Sequence, residues 1–207
     1  MDDLVQPIAV ARSGSHEDLI AAVASASLDA YLDHGDDPAW DQWLNGRFTK
    51  SVRRATASQL AAVAPLALAV VQRGDAVAYG FAPMPYSEYP GPIRKMQVQG
   101  TERPRSGNWA DFGSPSLVLN GGLEMSTGKA AAQAAHGLWI WWLTATITER
   151  QEWEASGRPL SVCEYDSEAF RRTLQITDVV VRDAGLTEVE PGTVTVAVIS
   201  DSTCERL

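Results

Sequence analysis

One half of this chain repeats the residue pattern of the other half at an offset of about 110 residues. Residues 7–81 and 116–199 carry the same features in the same order. Self-similarity at a fixed offset indicates a repeated structural unit, so we expect two similar units in one chain. The alternative is a chance alignment of two units that share common turn residues. Three pairs of positions hold the register: Trp43 with Trp153, Gly46-Arg47 with Gly157-Arg158, and Val70-Val71 with Val180-Val181.

Each repeat predicts the same series of elements. A short apolar strand precedes a long alanine-rich helix, predicted over residues 15–32 and 126–143. A tryptophan and a Gly-Arg turn follow, and then a strand, a short helix and two closing strands. Strands that alternate with helices are typical of the α/β class. We therefore predict two tandem α/β units, arranged as a pseudo-dimer within a monomer.

The segment between the repeats has a different composition. Residues 82–115 contain six prolines and four glycines, which disfavour long regular elements. We therefore predict a first unit over residues 1–82, a linker over 83–115 and a second unit over 116–207. Within the linker, residues 93–98 are expected to add an edge strand or to cross over the partner unit.

Charge and composition exclude several classes of protein. The net charge is −9, with 17 basic and 26 acidic residues, so any nucleic-acid contact must be local. The longest apolar run, residues 60–71, contains Pro65 and is shorter than the roughly 20 residues that cross a bilayer. Two cysteines and an acidic start favour a cytoplasmic protein without membrane contact. Metal-ligand spacing and glycine-rich phosphate loops are absent from the sequence, so no metal or cofactor is expected.

A stripe of polar residues marks the second long helix. Lys129, Gln133 and His136 stand at i, i+4 and i+7, so they share one face of a helix that is otherwise rich in alanine. Ser126 or Thr127 can cap this helix. The N–H groups of the first turn, together with Lys129, predict a site for a phosphate or a carboxylate.

A second polar cluster lies near the end of the second repeat. Asp183 ends an apolar strand, where α/β sheets commonly place ligand groups. On the last predicted strand, Thr193 and Thr195 share one face with Ala197 and Ile199 because side chains alternate along a strand. These residues predict a polar pocket wall that consists of one aspartate and two hydroxyl groups.

Residues 125–136, 153–158 and 183–195 resemble, in order and spacing, the sequence pattern of type II peptidyl-tRNA hydrolases. The resemblance implies a three-layer α/β/α unit with a four-stranded mixed sheet, and by the repeat the first unit shares it. It implies metal-independent hydrolysis of the ester that joins a peptide to the 3′ end of tRNA. It also implies a supporting, substrate-binding role for Gln133 and catalytic roles for Lys129, His136, Asp183, Thr187 and Thr195. The predicted anion site adds Ser126 as a second substrate-binding residue.

The implied roles follow ordinary acid-base chemistry. Asp183 is expected to orient His136, directly or through water, and either the imidazole or Asp183 activates the attacking water. Lys129 and a threonine hydroxyl are expected to stabilise the charge that develops on the carbonyl oxygen. Which of the two groups is the base stays open at this point.

The first repeat lacks the polar stripe. Asp18, Ala22 and Ser25 stand where the second repeat has Lys129, Gln133 and His136. We therefore expect a degenerate, non-catalytic first unit and a single active site in the second unit.

Basic residues concentrate in the first repeat and the linker. Residues 108–207 have 7 basic and 14 acidic groups, a balance that disfavours tRNA binding by the second unit alone. We predict that a local basic strip binds peptidyl-tRNA, with Arg53 and Arg54 as substrate-binding residues. The predicted strip comprises Arg47, Lys50, Arg53, Arg54, Arg94, Lys95, Arg103 and Arg105.

A second function class is a catalytically inactive binding or regulatory module derived from the same fold. The acidic balance favours it, and so does the sequence Asn120-Gly121-Gly122, which stands where the family usually has an Arg-Asp pair. Retention of the Lys129 and Asp183 motifs favours the enzyme.

The second long helix contains three tryptophans, Trp139, Trp141 and Trp142. We predict that they pack in the core, partly against the other repeat, and the alternative is a surface on which bases stack.

Overall fold

A computed structural model describes residues 3–107, 109–177, 179–185 and 188–200 of the chain. The first unit contains β1 (Leu4–Val10), α1 (His16–Leu32), α2 (Pro38–Leu44), β2 (Thr49–Arg54), α3 (Ala57–Val63), β3 (Ala69–Arg73) and β4 (Ala76–Gly80). The connecting segment contains β5 (Met84–Pro85), α4 (Gly91–Arg94) and β6 (Ala110–Asp111). The second unit contains β7 (Ser116–Asn120), α5 (Thr127–Thr144), α6 (Ile147–Ala155), β8 (Ser161–Tyr165), α7 (Ser167–Thr173), β9 (Val179–Arg182) and β10 (Val194–Ile199).

The two units have the same sheet topology. The four main strands follow the order β2-β1-β4-β3 in the first sheet and β8-β7-β10-β9 in the second. In each sheet the first two strands of the unit pair in parallel and the remaining pairs are antiparallel. The connecting segment adds a two-residue strand to each sheet, β5 beside β1 and β6 beside β8. The prediction of two tandem α/β units with four-stranded mixed sheets is confirmed.

The long helices α1 and α5 pack against each other between the two sheets. Each begins at a serine cap, because Ser15 accepts the N–H of Asp18 and Ser126 accepts the N–H of Lys129. Their small residues permit close contact with the sheets. A Cβ atom at Gly80 would lie 2.1 Å from the carbonyl oxygen of Ala26, so only glycine fits at this point of β4.

The largest hydrophobic core belongs to both units at once. It contains inner-face residues of both sheets together with α1 and α5. Trp139 of the second unit is fully buried, and its ring lies 5.2 Å from those of Tyr31 and Trp43 of the first unit. Trp139 and Trp141 therefore serve core packing, as the sequence predicts. Two smaller clusters cover the outer sheet faces, one beneath α3 and α4 and one beneath α7.

The connecting segment holds the starts of both long helices. The carboxylate of Glu17 accepts backbone N–H groups from Ser106 and Gly107 at 3.1 Å. The N–H of Gly128, at the matching position of α5, donates to Thr101 Oγ1. The expected edge strand at residues 93–98 is only partly present, because α4 occupies residues 91–94 and a single bridge joins Gln97 to Arg54.

Within the described ranges, none of the helices combines the length and the apolar composition that a membrane span requires.

Candidate active site

A buried ion pair joins the two predicted polar clusters. Lys129, on the first turn of α5, pairs with Asp183, which directly follows β9. The exposed fractions of these side chains are 12% for Lys129 and 2% for Asp183. One turn further along α5, Gln133 donates from Nε2 to Asp183 Oδ2 at 2.6 Å. The structure thus brings Lys129, Gln133 and Asp183 together, as their spacing predicts.

A local turn fixes the carboxylate of Asp183. Its Oδ1 accepts the N–H of Gly185 at 2.7 Å, and its backbone N–H donates to the carbonyl of Thr193 at 2.9 Å. Gly185 has φ of +74°, and a Cβ atom there would lie 2.3 Å from the ring of Pro191. Glycine is therefore required at this turn, which fixes the orientation of both carboxylate oxygens of Asp183.

Thr195 completes the network from β10. It is fully buried, and its hydroxyl donates to Gln133 Oε1 at 2.9 Å. The prediction that Thr195 shares a face with Ala197 is wrong. The register between β10 and β9 shifts between Val194 and Val196, which is a β-bulge. A bulge turns one extra side chain to the opposite face, so Thr195 points toward α5 with Val196, whereas Ala197 faces α7.

His136 lies apart from this network. Among the described residues no hydrogen bond joins it directly to Asp183, so of the two expected arrangements, direct or through water, the direct one is not present. Its Nδ1 lies instead 3.2 Å from Nζ of Lys50, a residue of β2 in the first unit. Its ring packs edge-on against Phe48 with centroids 5.0 Å apart. Burial, together with the charges of Lys50 and Lys129, holds the pKa of His136 well below its ordinary value.

Among the described residues, three of the N–H groups at the start of α5 already have partners within the chain. Gly128 N–H donates to Thr101, and Lys129 N–H donates to the capping hydroxyl of Ser126. Ser126 itself donates both its N–H and its hydroxyl to the carboxylate of Glu188, at 2.8 and 2.7 Å. The predicted anion site at this turn is thus occupied by a carboxylate of the chain itself. Thr187, another predicted catalytic residue, lies outside the described residues.

The predicted basic strip is wrong for two of its members. Lys50 and Arg53 are buried, with exposed fractions of 8% and 5%. The guanidinium of Arg53 donates to the carbonyl groups of Ile93 and Met96, so it anchors the segment around α4 and does not face solvent. Arg53 therefore cannot contact a substrate phosphate in this structure.

Two further members of the strip have acidic partners. Arg47 pairs with Asp3, and Arg105 pairs with Glu164. The strip residues that remain, together with Arg12, which follows β1, define what we call the basic surface. Burial and the charges of Arg54 and Arg12 lower the pKa of Arg103. The basic surface comprises Arg12, Arg54, Arg94, Lys95 and Arg103.

The contact between Lys50 and His136 was not predicted from the sequence. Alternation along β2 contained the signal, since Lys50 and Val52 share one face and Val52 belongs to the shared core. Arg53 falls on the opposite face by the same rule. Strand alternation does not predict the partner of Lys50, because His136 lies 86 positions further along the chain.

Within the described residues, no group of three or more histidine, cysteine, aspartate or glutamate side chains is arranged to hold a metal ion. The chemistry that the geometry offers comes from a carboxylate, an ammonium group, an amide and a hydroxyl in one connected network. An imidazole lies one turn further along the same helix.

Comparisons with known proteins match the part of the chain that contains this network. The sequence model of the family Peptidyl-tRNA hydrolase PTH2 matches residues 115–206. A peptidyl-tRNA hydrolase of Haloquadratum walsbyi is 36% identical over 102 residues, which cover 44% of this chain and 88% of that protein. One of Methanopyrus kandleri is 41% identical over 90 residues, covering 38% of this chain and 76% of that protein. One of Thermococcus onnurineus is 34% identical over 93 residues, which cover 38% of this chain and 75% of that protein.

Proposed function

Because the chain belongs to the type II peptidyl-tRNA hydrolase family, we propose that it hydrolyses the ester bond of peptidyl-tRNA and releases peptide and free tRNA. The observation that carries this proposal is the network that links the two sequence motifs of the matched segment. Lys129 and Gln133 from α5 both contact Asp183. A polar network with so little exposure is costly to bury unless it is fully paired, and paired networks of this kind suit catalysis.

In the proposed reaction the residues of the network have separate roles. A water molecule adds to the ester carbonyl, its proton passes to a base, and the 3′-oxygen of tRNA leaves with a proton. Lys129 stabilises the negative charge on the carbonyl oxygen through its ammonium group. Gln133 and Thr195 hold the carboxylate of Asp183 in position. This reaction needs no metal ion.

The contacts favour Asp183 over His136 as the base. Nδ1 of His136 faces Lys50 at 3.2 Å, so this nitrogen is already engaged and does not face a substrate water. The carboxylate of Asp183 pairs with Lys129 and accepts hydrogen bonds from Gln133 and Gly185, and it lies at the end of a strand where the chain turns. Asp183 is thus the preorganised acceptor for a water proton.

We further propose a division of labour between the units. Residues 116–207 carry the chemistry, residues 1–82 are a non-catalytic copy, and residues 83–115 connect them in a pseudo-dimer. The basic surface on the first unit and the connecting segment would bind the tRNA backbone. Arg103 links the surface to the site, since its N–H donates to Thr127 on the first turn of α5. Because ribosomes produce peptidyl-tRNA, the cytoplasm is the proposed place of action.

The test is release of labelled peptide from peptidyl-tRNA by the purified full chain, with and without a chelator. Asp183→Asn should lower kcat by about 10²-fold or more, since acid-base groups contribute roughly 10²–10⁴-fold. Ser25→Ala changes the position that matches His136 in the first unit, and it should leave the rate within about two-fold of wild type. Equal rates in wild type and Asp183→Asn would contradict the assignment of the site.

A non-catalytic binding module is the second candidate, favoured by the contact of Glu188 with the start of α5. A family member whose anion site is filled by its own carboxylate can bind tRNA without turnover. Binding and peptide release, measured on the same samples, distinguish the two functions. Saturable binding of peptidyl-tRNA without peptide release would support the binding module and exclude the hydrolase.

A further inference from the structure

A lysine of the first unit reaches the histidine of the second. Lys50 lies on β2, and its Nζ is 3.2 Å from Nδ1 of His136 on α5. The Lys50 side chain is buried, so this contact is a fixed part of the interface between the units. The matched family segment begins at residue 115, and Lys50 therefore lies outside the part of the chain that resembles the family.

Aromatic rings surround the Lys50 ammonium group. Nζ lies 3.5 Å from the centroid of Phe48, 4.6 Å from that of Trp43 and 5.9 Å from that of Trp139. Ring faces attract cations, and the attraction is strongest where water is excluded. Burial lowers the pKa of Lys50, and within the described residues no carboxylate opposes that shift. The ring faces and His136 are thus the groups that hold this lysine.

From this geometry we infer that Lys50 is a positioning residue for His136, which it holds as the tautomer with the proton on Nε2. An ammonium group only donates hydrogen bonds, so the ring nitrogen that faces it must be the acceptor. The remaining nitrogen, Nε2, then carries the ring hydrogen. Phe48 fixes the plane of the ring from the side. The first unit would in this way set the chemical form of a residue in the second.

The inference rests on the proposed function in one respect, namely that His136 serves ester hydrolysis. The charged groups that act on His136 are Lys50 from β2 and Lys129 from its own helix, and both are cations. Together with burial they keep the imidazole neutral. A neutral ring with its hydrogen on Nε2 donates a hydrogen bond, so His136 would stabilise an oxygen of the substrate and would not accept the proton of the attacking water.

The tautomer can be measured without substrate. Two-bond and three-bond correlations between ring hydrogens and ¹⁵N in the full chain distinguish a protonated from an unprotonated ring nitrogen, and a His136→Gln spectrum assigns the signals. We expect wild-type His136 to carry its hydrogen on Nε2 and to remain neutral at pH 7. A wild-type ring with its hydrogen on Nδ1, or one that is protonated at pH 7, overturns the inference even if no variant folds.

Matched lysine variants test whether Lys50 is the cause. Lys50→Met keeps the length and apolar character of the side chain but removes the donor, and Lys95→Met changes an exposed lysine. In Lys50→Met the His136 ring should become a mixture of tautomers, and its pKa should rise toward the ordinary value of 6.5. Lys95→Met should leave both unchanged. An unaltered tautomer and pKa in folded Lys50→Met would refute the positioning role.

Activity measurements separate this inference from the proposed function. With peptidyl-tRNA as substrate, Lys50→Met should lower kcat by about ten-fold with little change in KM, and the rate should acquire a new dependence on pH between about 5 and 7 as the freed imidazole titrates. An altered tautomer in a chain that releases no peptide would refute the hydrolase and leave the Lys50 contact as a purely structural one. An active chain whose kcat and pH profile do not respond to Lys50→Met refutes the positioning role in catalysis.

Discussion

The two units have the same strand order but opposite charges at the two positions of the ion pair. The second unit has Lys129 on its long helix and Asp183 after its third strand, and these side chains contact each other. The first unit has Asp18 and Arg73 at the matching positions. These two do not reproduce the pair, because Arg73 donates instead to the hydroxyl of Ser25 and to the carbonyl of Arg158.

This difference shows which features the fold requires and which it does not. Both units keep a capped alanine-rich helix on a four-stranded sheet, because the shared core needs apolar faces from both. Under the proposed function, the polar stripe is needed only in the unit that carries the chemistry. In the first unit Arg73 donates to Ser25, which stands at the position of His136. The first unit retains a structural role, since it covers the aromatic side of α5 and supplies Lys50.

The largest expected effect concerns the shared core. Trp139→Ala removes a fully buried ring that contacts the first unit and donates to Ser27 Oγ at 2.9 Å. Such truncations typically cost about 3–5 kcal/mol in the free energy of unfolding. Chemical denaturation should show this loss in one cooperative transition for both units. Trp109→Ala, at an exposed ring, is the control and should cost less than about 1 kcal/mol. Two separate transitions in wild type would contradict a common core.

The next effect concerns the bulge in β10. Thr195→Val keeps the shape of the side chain but leaves Gln133 Oε1 without the hydroxyl that donates to it. An unsatisfied buried acceptor costs about 1–3 kcal/mol in the free energy of unfolding. Peptide release should also slow, because Gln133 positions Asp183. Thr193→Val, two residues earlier, keeps the backbone carbonyl that accepts the N–H of Asp183 and changes only the side chain, so it should shift stability by less than about 0.5 kcal/mol. If Thr193→Val lost more stability and activity than Thr195→Val, the functional hydroxyl would be that of Thr193.

A smaller effect concerns the connecting segment, which holds α1 through Glu17. Burial raises the pKa of Glu17, but hydrogen bonds from Ser106 and Gly107 outweigh it and bring the pKa below its ordinary value of 4.5. A lowered carboxyl pKa stabilises the fold above pH 4.5, and that stabilisation disappears as the pH falls through the folded-state value. Glu17→Gln should therefore cost about 1–2 kcal/mol at pH 7. The difference from wild type should shrink in acid, as urea titrations between pH 7 and pH 3 can show. Glu88→Gln, at an exposed residue, should show no such trend.

The smallest effect concerns the part of the basic surface that lies on the connecting segment. Arg94→Ala combined with Lys95→Ala should raise KM for peptidyl-tRNA by a few-fold and leave kcat unchanged. Each lost phosphate contact should reduce the slope of log KM against log salt by slightly less than about one. Arg171→Ala combined with Arg172→Ala, on α7 in the second unit, is the matched control. Equal effects of both double variants would indicate a nonspecific charge effect and contradict docking on the basic surface.

The fold and half of the site could be predicted from the sequence because both rest on local patterns. The repeat and the alternation of strands and helices define the units, and helical spacing places Lys129 and Gln133 on one face. Asp183 belongs with them because the strand before it ends at that edge. These features depend on residues that are close in sequence or on motifs with fixed spacing.

The remaining features depend on contacts between distant residues. The face of Thr195 depends on a register shift against β9, which strand alternation does not reveal. The occupied start of α5 involves Thr101 and Glu188, from segments on either side of the helix in sequence. Arg53 is a basic residue that satisfies backbone carbonyls, and its burial follows from the position of α4. Sequence composition predicts an exposed arginine at such a position, whereas the packing of the connecting segment buries it.

One measurement tests the central claim that only the second unit carries the chemistry. The double variant Lys129→Asp and Asp183→Arg gives the second unit the residues that stand at Asp18 and Arg73 in the first, so it removes the proposed base and the ammonium group while one charge of each sign remains. We predict a rate of peptide release from peptidyl-tRNA at least about 10²-fold below wild type, with cooperative unfolding preserved. A folded double variant that releases peptide at a rate within two-fold of wild type would contradict the claim.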